Sequence, residues 1–103
     1  MNLNKIRQDF TIAGYWRVTV IYNVWLGDYN TGFTKTYFHK KKSIVGIGIA
    51  NSKEQFINTI VHEIKHLQSH ICEYYNVSEK GEQAAYLIGY IAMKMFKVFN
   101  KLL

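Results

Sequence analysis

The hydrophobic period of this chain changes once, near Asn51, and that change limits the folds open to it. From Phe10 to Leu26 apolar and polar residues alternate, with Trp16, Val18, Val20, Tyr22, Val24 and Leu26 on one parity and Tyr15, Arg17, Thr19 and Asn23 on the other. A two-residue repeat of this kind belongs to a β-strand with one buried face. The stretch Gly27-Asp28-Tyr29-Asn30-Thr31-Gly32 favours turn geometry and leads to a second β-prone run, Phe33 to His39, so a hairpin is expected. In Ser43 to Ala50, Val45, Ile47 and Ile49 share one face while Gly46 and Gly48 leave the other bare, which predicts a third strand that another backbone can approach closely.

Beyond Asn51 the repeat is helical. Asn51 or Ser52 can cap a helix, Glu54 or Gln55 completes a capping box, and Phe56, Ile60, Ile64, Leu67, Ile71 and Tyr74 form one apolar stripe ending near Tyr75. Asn76-Val77-Ser78 interrupts it; Ser78 can cap a second helix, with Glu79 and Glu82 in a first turn whose dipole favours carboxylates. That helix runs to about Asn100, apolar on most sides, with Lys94, Lys97 and Lys101 as its polar edge. The expected architecture is α+β: residues 1–103 as a single domain, with an antiparallel sheet of about three strands followed by two packed helices.

Composition excludes several classes. With 49% hydrophobic and 16% aromatic residues and no proline, 103 residues suffice for one core without staples. The lone Cys72 cannot form an internal disulfide, and the amino-terminal segment lacks the apolar run of a signal peptide, so a reducing cytoplasm is the expected location. The longest apolar stretch, Ala84 to Met93, is about half of what crosses a bilayer, so no membrane span is expected.

The net charge of +6 raises the question of a nucleic-acid partner. Lys40-Lys41-Lys42 beside Tyr37 and Phe38, with Arg17 and Trp16 in a neighbouring strand, supplies basic and aromatic groups, but a solvated charged turn is the simpler reading and nucleic acid is not the expected partner. The basic, apolar run Met93 to Leu103 suits a membrane surface or partner groove; packing across the sheet is preferred.

The first helix contains His62-Glu63-Ile64-Lys65-His66. Histidines four residues apart project from one face one turn apart, so both imidazoles can reach one zinc ion, with Glu63 beside them. The bland alternative is a solvated polar face. A catalytic zinc needs three protein ligands and an open position. His70 and Glu73 lie two and three turns from His62, about 12 Å or more along the axis, too far to share its ion on a straight helix. Glu82 is the preferred third ligand, with Glu79 and His39 as competitors. Ala85, Tyr86, Gly89 and Tyr90 continue the face of Glu82, so Ala85 and Gly89 are expected to permit close helix packing.

This arrangement of strands, a His-Glu-x-x-His helix and a second helix bearing Glu resembles the core of the gluzincin branch of the zincin metallopeptidases, especially short forms encoded by bacteriophages and their hosts. The metzincin pattern is excluded, because its third histidine falls on Cys72. The resemblance covers Ser43 to Met95 and implies a zinc peptidase with one Zn2+ per chain held by His62, His66 and Glu82. It implies Glu63 as catalytic base, a peptide or protein substrate, and pairing of an extended substrate with Ser43 to Ala50. Where larger gluzincins carry an acidic residue four positions after the ligand Glu, this chain has Tyr86. Tyr86 is the first choice for a donor to the oxyanion, before Tyr90, His70 and His39. The rival reading is an inactive zincin-like interaction module, phage-encoded in one version, acting through its basic surface or apolar C-terminal helix.

Overall fold

The computed structural model describes residues 6–24 and 31–100. The turn expected at Gly27 to Asn30 and the last residues of the C-terminal run lie outside these. The described chain forms β1 (Ile6–Ile12), β2 (Trp16–Val24), β3 (Gly32–Tyr37), a 3-10 turn (Phe38–Lys40), β4 (Lys42–Gly48), α1 (Lys53–Tyr75) and α2 (Glu82–Phe99). It is an α+β fold, but the sheet is four-stranded and mixed, in the order β1-β2-β4-β3. β1 with β2 and β3 with β4 are antiparallel, whereas β2 and β4 are parallel.

Three expectations are corrected here. The alternation from Phe10 to Leu26 is not one strand: Ala13 (φ 52°) and Gly14 (φ 79°) turn the chain back, with the Tyr15 N–H donating to the Ile12 carbonyl at 3.2 Å. Positive φ at both central residues is the hairpin turn whose twist matches the flanking strands. Alanine pays a steric penalty of about 1–2 kcal/mol there, which is why Ala-Gly is a weak turn signal. The expected pairing of the second and third runs also fails, because β4 lies between β2 and β3. Burial fits the observed order: Ser43, Val45 and Ile47 are fully buried on the face turned to the helices and Gly46 lies under the Phe33 ring, so this segment suits a central strand. Nor does a foreign backbone fill the space beside Gly46. A Cβ there would overlap the Phe33 ring, which lies across the glycine.

Helix α1 begins as expected. Ser52 Oγ accepts from the Gln55 N–H at 3.1 Å, and Gln55 Oε1 accepts from the Asn51 N–H at 2.6 Å. It ends at Asn76 in the left-handed region, with Val77 N–H donating to the Cys72 carbonyl and Asn76 N–H to that of Glu73, the paired bonds of a Schellman cap. Ser78 does not cap α2. Its hydroxyl accepts from Lys80 N–H in a separate turn, and Gly81 is the N-cap, so Glu79 precedes the helix and Glu82 opens it.

The core joins Trp16, Val18, Val20, Tyr22, Val45 and Ile47 of the sheet to Ile60, Ile64, Leu67 and Ile71 of α1 and Ile91, Met95 and Phe99 of α2. Full burial of such side chains stabilises by about 1.5–3 kcal/mol each. Phe99 meets Tyr22 and Phe56 edge-on, both at 5.3 Å between centroids, so the described part of the C-terminal run packs on the sheet. The small residue buried beside α1 is Ala84, whose carbonyl accepts from Gln68 Nε2 at 3.4 Å. Ala85 and Gly89 are exposed instead, and a Cβ on Gly89 would meet nothing within 4 Å, so the expected close packing through them is not found. The apolar anchors Ala84, Ile91 and Met95 set the rotation of α2 and turn the Ala85–Gly89 side outward. Among the described residues no helix is long and apolar enough to cross a membrane.

Candidate metal centre and its surroundings

Periodicity places His62 and His66 on the exposed side of α1, and their rings converge. Nε2 of one lies 3.0 Å from Nε2 of the other, with ring centroids 4.7 Å apart. Two zinc–nitrogen bonds of 2.0–2.1 Å at a tetrahedral angle separate the nitrogens by roughly 3.3–3.4 Å. The pair is therefore within a few tenths of an ångström of a chelating geometry, using the ring nitrogens that metals favour.

Glu63 has the opposite environment. It is 3% exposed, and its Oε1 accepts a 2.8 Å hydrogen bond from Thr34 Oγ1 on β3. Space for this carboxylate depends on Gly32. A Cβ there would stand 3.0 Å from Glu63 Oε2, 2.9 Å from Thr59 Cγ2 and 3.0 Å from the Gly46 carbonyl oxygen. The absent side chain lets the strand come down onto the helix at this point.

One turn past His66, the Nδ1 of His70 lies 2.7 Å from Thr36 Oγ1, which is 2.7 Å from Ser43 Oγ, which accepts from Trp16 Nε1 at 3.1 Å. Tryptophan can only donate. A head-to-tail run from it ends with Nδ1 of His70 accepting, which leaves the ring proton on Nε2 as a donor. This hydroxyl ladder also satisfies the buried polar atoms of Trp16 and Ser43.

The strand beside this site is β3, not the segment Ser43 to Ala50 expected to meet a substrate. β4 has no free edge, since β2 and β3 occupy both. Among the described residues β3 pairs only with β4, so its outer backbone edge is the one open next to Glu63.

The other flank of α1 is different in kind. Lys65 Nζ donates to Gln68 Oε1 at 2.8 Å and lies 3.5 Å from Glu79 Oε2. Buried Cys72 has its thiol pKa raised, by desolvation first and the Glu79 carboxylate second, while Lys65 lowers it. Glu82 is exposed at the start of α2 and His39 is exposed in the 3-10 turn. Tyr86 is 73% exposed and lines a groove with Tyr15, Cys72 and Tyr75, ten or more residues along α1 from His62. Among the described residues, no third His, Cys, Asp or Glu completes a metal-binding group with the histidine pair.

Sequence reasoning singled out His62, Glu63, His66 and His70 but missed Gly32, Thr34, Thr36 and Ser43 as their supports. The one available signal was the alternation of Thr34 and Thr36 with Phe33, Lys35 and Tyr37, which puts small polar side chains on a face otherwise bound for the core. No protein-family model, no curated protein and no solved structure matches the chain.

Proposed function

We propose that this protein is a zinc-dependent peptidase. The observation that carries the reading is the convergence of His62 and His66 Nε2 at 3.0 Å, next to a carboxylate that Thr34 holds against an open strand edge. His62 and His66 would hold the ion; the third ligand, Glu82 by preference with Glu79 or His39 as substitutes, would have to move to reach them, since among the described residues none stands beside the pair. Bound zinc supplies Lewis acidity toward water and toward a substrate carbonyl.

The remaining chemistry belongs to the chain. Thr34 occupies Oε1 of Glu63, so Oε2 is the atom that takes the proton of the attacking water and returns it to the leaving amine. An extended peptide adds to the outer edge of β3, where backbone groups fix its direction whatever its side chains. His70, with its proton on Nε2 and its ring oriented by Thr36, is the donor available to a developing oxyanion, whereas the groove holding Tyr86 lies about 15 Å along α1 from His62, too far for Tyr86 to serve.

Metal analysis of protein purified without added zinc tests this reading. About one zinc per chain is expected, lost in His62→Ala and His66→Ala, and weakened in Glu82→Ala. Glu63→Gln should keep the metal and lose hydrolysis of a peptide library by a factor of 100 or more. Zinc content unchanged by His62→Ala would sink the site. The near-complete burial of Glu63 favours a second reading, an inactive zincin-like interaction module; stoichiometric zinc with no cleavage of any library member would select it.

A further inference from the structure

The sheet face turned away from the helices carries chemistry that the proposed peptidase does not use. Strand register assembles it in rows: Arg7, Ile21, Gly46 and Phe33; Asp9, Thr19, Ile44 and Lys35; Thr11, Arg17, Lys42 and Tyr37. Among the described residues in these rows, Arg7, Arg17, Lys35 and Lys42 oppose a single carboxylate. That one, Asp9, already accepts from Thr19 at 2.6 Å and lies 3.7 Å from Arg7. A concavity of about 310 Å³ opens on this face, where Arg7, Arg17 and Lys42 stand beside the hydroxyls of Thr11 and Thr19.

Along β3 the order on this face is ring, cation, ring. Phe33 and Tyr37 are four residues apart, about 13 Å on a strand, with Lys35 between them. Phe33 lies over Gly46, and the ammonium groups of Lys35 and Lys40 stand 5.3 and 5.9 Å from the centre of the Tyr37 ring. From the sequence alone, a solvated charged turn is the simpler reading of Lys40-Lys41-Lys42, and nucleic acid is not the expected partner. The fold buries Trp16 on the opposite face and gathers Arg17, Lys42 and Tyr37 into one row.

We propose that this open face binds single-stranded nucleic acid, with phosphates at Arg7, Arg17 and Lys42 and bases on Phe33 and Tyr37. Charge complementarity selects a polyanion. The two rings select unpaired bases over duplex and over an acidic peptide, because stacking needs exposed π faces and tolerates any base. Binding is independent of the zinc site on the other side of the sheet.

Fluorescence anisotropy of a labelled 15-nucleotide oligo-dT with the full chain is the test, and circular dichroism verifies the fold of each variant. At about 50 mM salt, binding is expected, with affinity falling steeply as salt rises. The pair Arg17→Glu and Lys42→Glu should weaken it at least about tenfold and flatten the salt slope by roughly 1.4. Tyr37→Ala should weaken it about fivefold or more, and Lys35→Glu gives an independent reversal on the same face. Glu63→Gln should bind like the parent chain. Absence of binding at low salt, equal affinity in the charge-reversed variants, or equally tight binding of a duplex or polyglutamate overturns the proposal, as does a Tyr37→Ala variant that binds unchanged.

Discussion

The two flanks of α1 are built on different principles. On one, Ile60, Ile64, Leu67 and Ile71 face the core, and Gln68 and Cys72 lie buried beside them. On the other, Glu63 and His70 meet a row of hydroxyls from β3, and His62 and His66 stand beyond them in solvent. The first flank gains stability from area removed from water, which tolerates small displacements. The second depends on directional bonds of 2.7–2.8 Å, which do not. One helix thus carries both anchorage and the candidate site, and the edge strand supplies the precision that packing lacks.

If the flanks are separable, damage to one should spare the other. Leu67→Ala is expected to cost about 2–5 kcal/mol in urea denaturation, since it opens a cavity in the fully buried core. The folded fraction should still bind zinc as the parent does; a drop in metal affinity per folded molecule would join the two flanks. Thr34→Val removes the donor to Glu63 without changing shape much. A loss of about 1–3 kcal/mol is expected, because a buried acceptor is left without its donor, with zinc content untouched and peptide hydrolysis reduced.

Gly32→Ala probes the same contact from the strand side. The new Cβ must displace Glu63 Oε2, Thr59 or the Gly46 carbonyl, so about 1–3 kcal/mol of strain is expected. A neutral Gly32→Ala would mean the strand floats above the helix rather than resting on it. Thr36→Val breaks the ladder at its middle. About 1 kcal/mol should be lost, and nitrogen chemical shifts should report a change in the His70 tautomer; unchanged shifts would show that the ladder does not set it.

The smallest effect lies on the packing flank. The Cys72 thiol holds its proton more tightly in the folded chain than in the unfolded one. Above the unfolded thiol's pKa of about 8.5, the unfolded state therefore binds fewer protons and stability falls as pH rises. Cys72→Ala should flatten that alkaline slope in thermal melts. An identical slope would place the loss elsewhere.

Much of the helical half could be read directly. Ser52, Gln55, Asn76 and the apolar stripe each act on residues within one or two turns, so spacing alone locates them. The sheet was harder, because strand pairing is a choice among distant segments. Ala13-Gly14 hid a hairpin behind an atypical turn pair, and β4 was legible as a strand but not as the central one. Glu79 and Ala85 illustrate a finer limit: moving the start of α2 to Glu82 removes one from the helix, and a rotation of about 100° per residue turns the other outward.

By itself the sequence determined that a helix would present His62 and His66 on one face with Glu63 a step around it, because a 3.6-residue repeat is a local property. Only the tertiary structure decided that Glu63 would be buried against Thr34, that His70 would be tied through Thr36 and Ser43 to Trp16, and that cations from four strands would share one surface. Those outcomes depend on which strand lies beside which. That order goes with the full burial of Ser43, Val45 and Ile47 in the middle of the sheet, a property of the assembled sheet that no single segment contains.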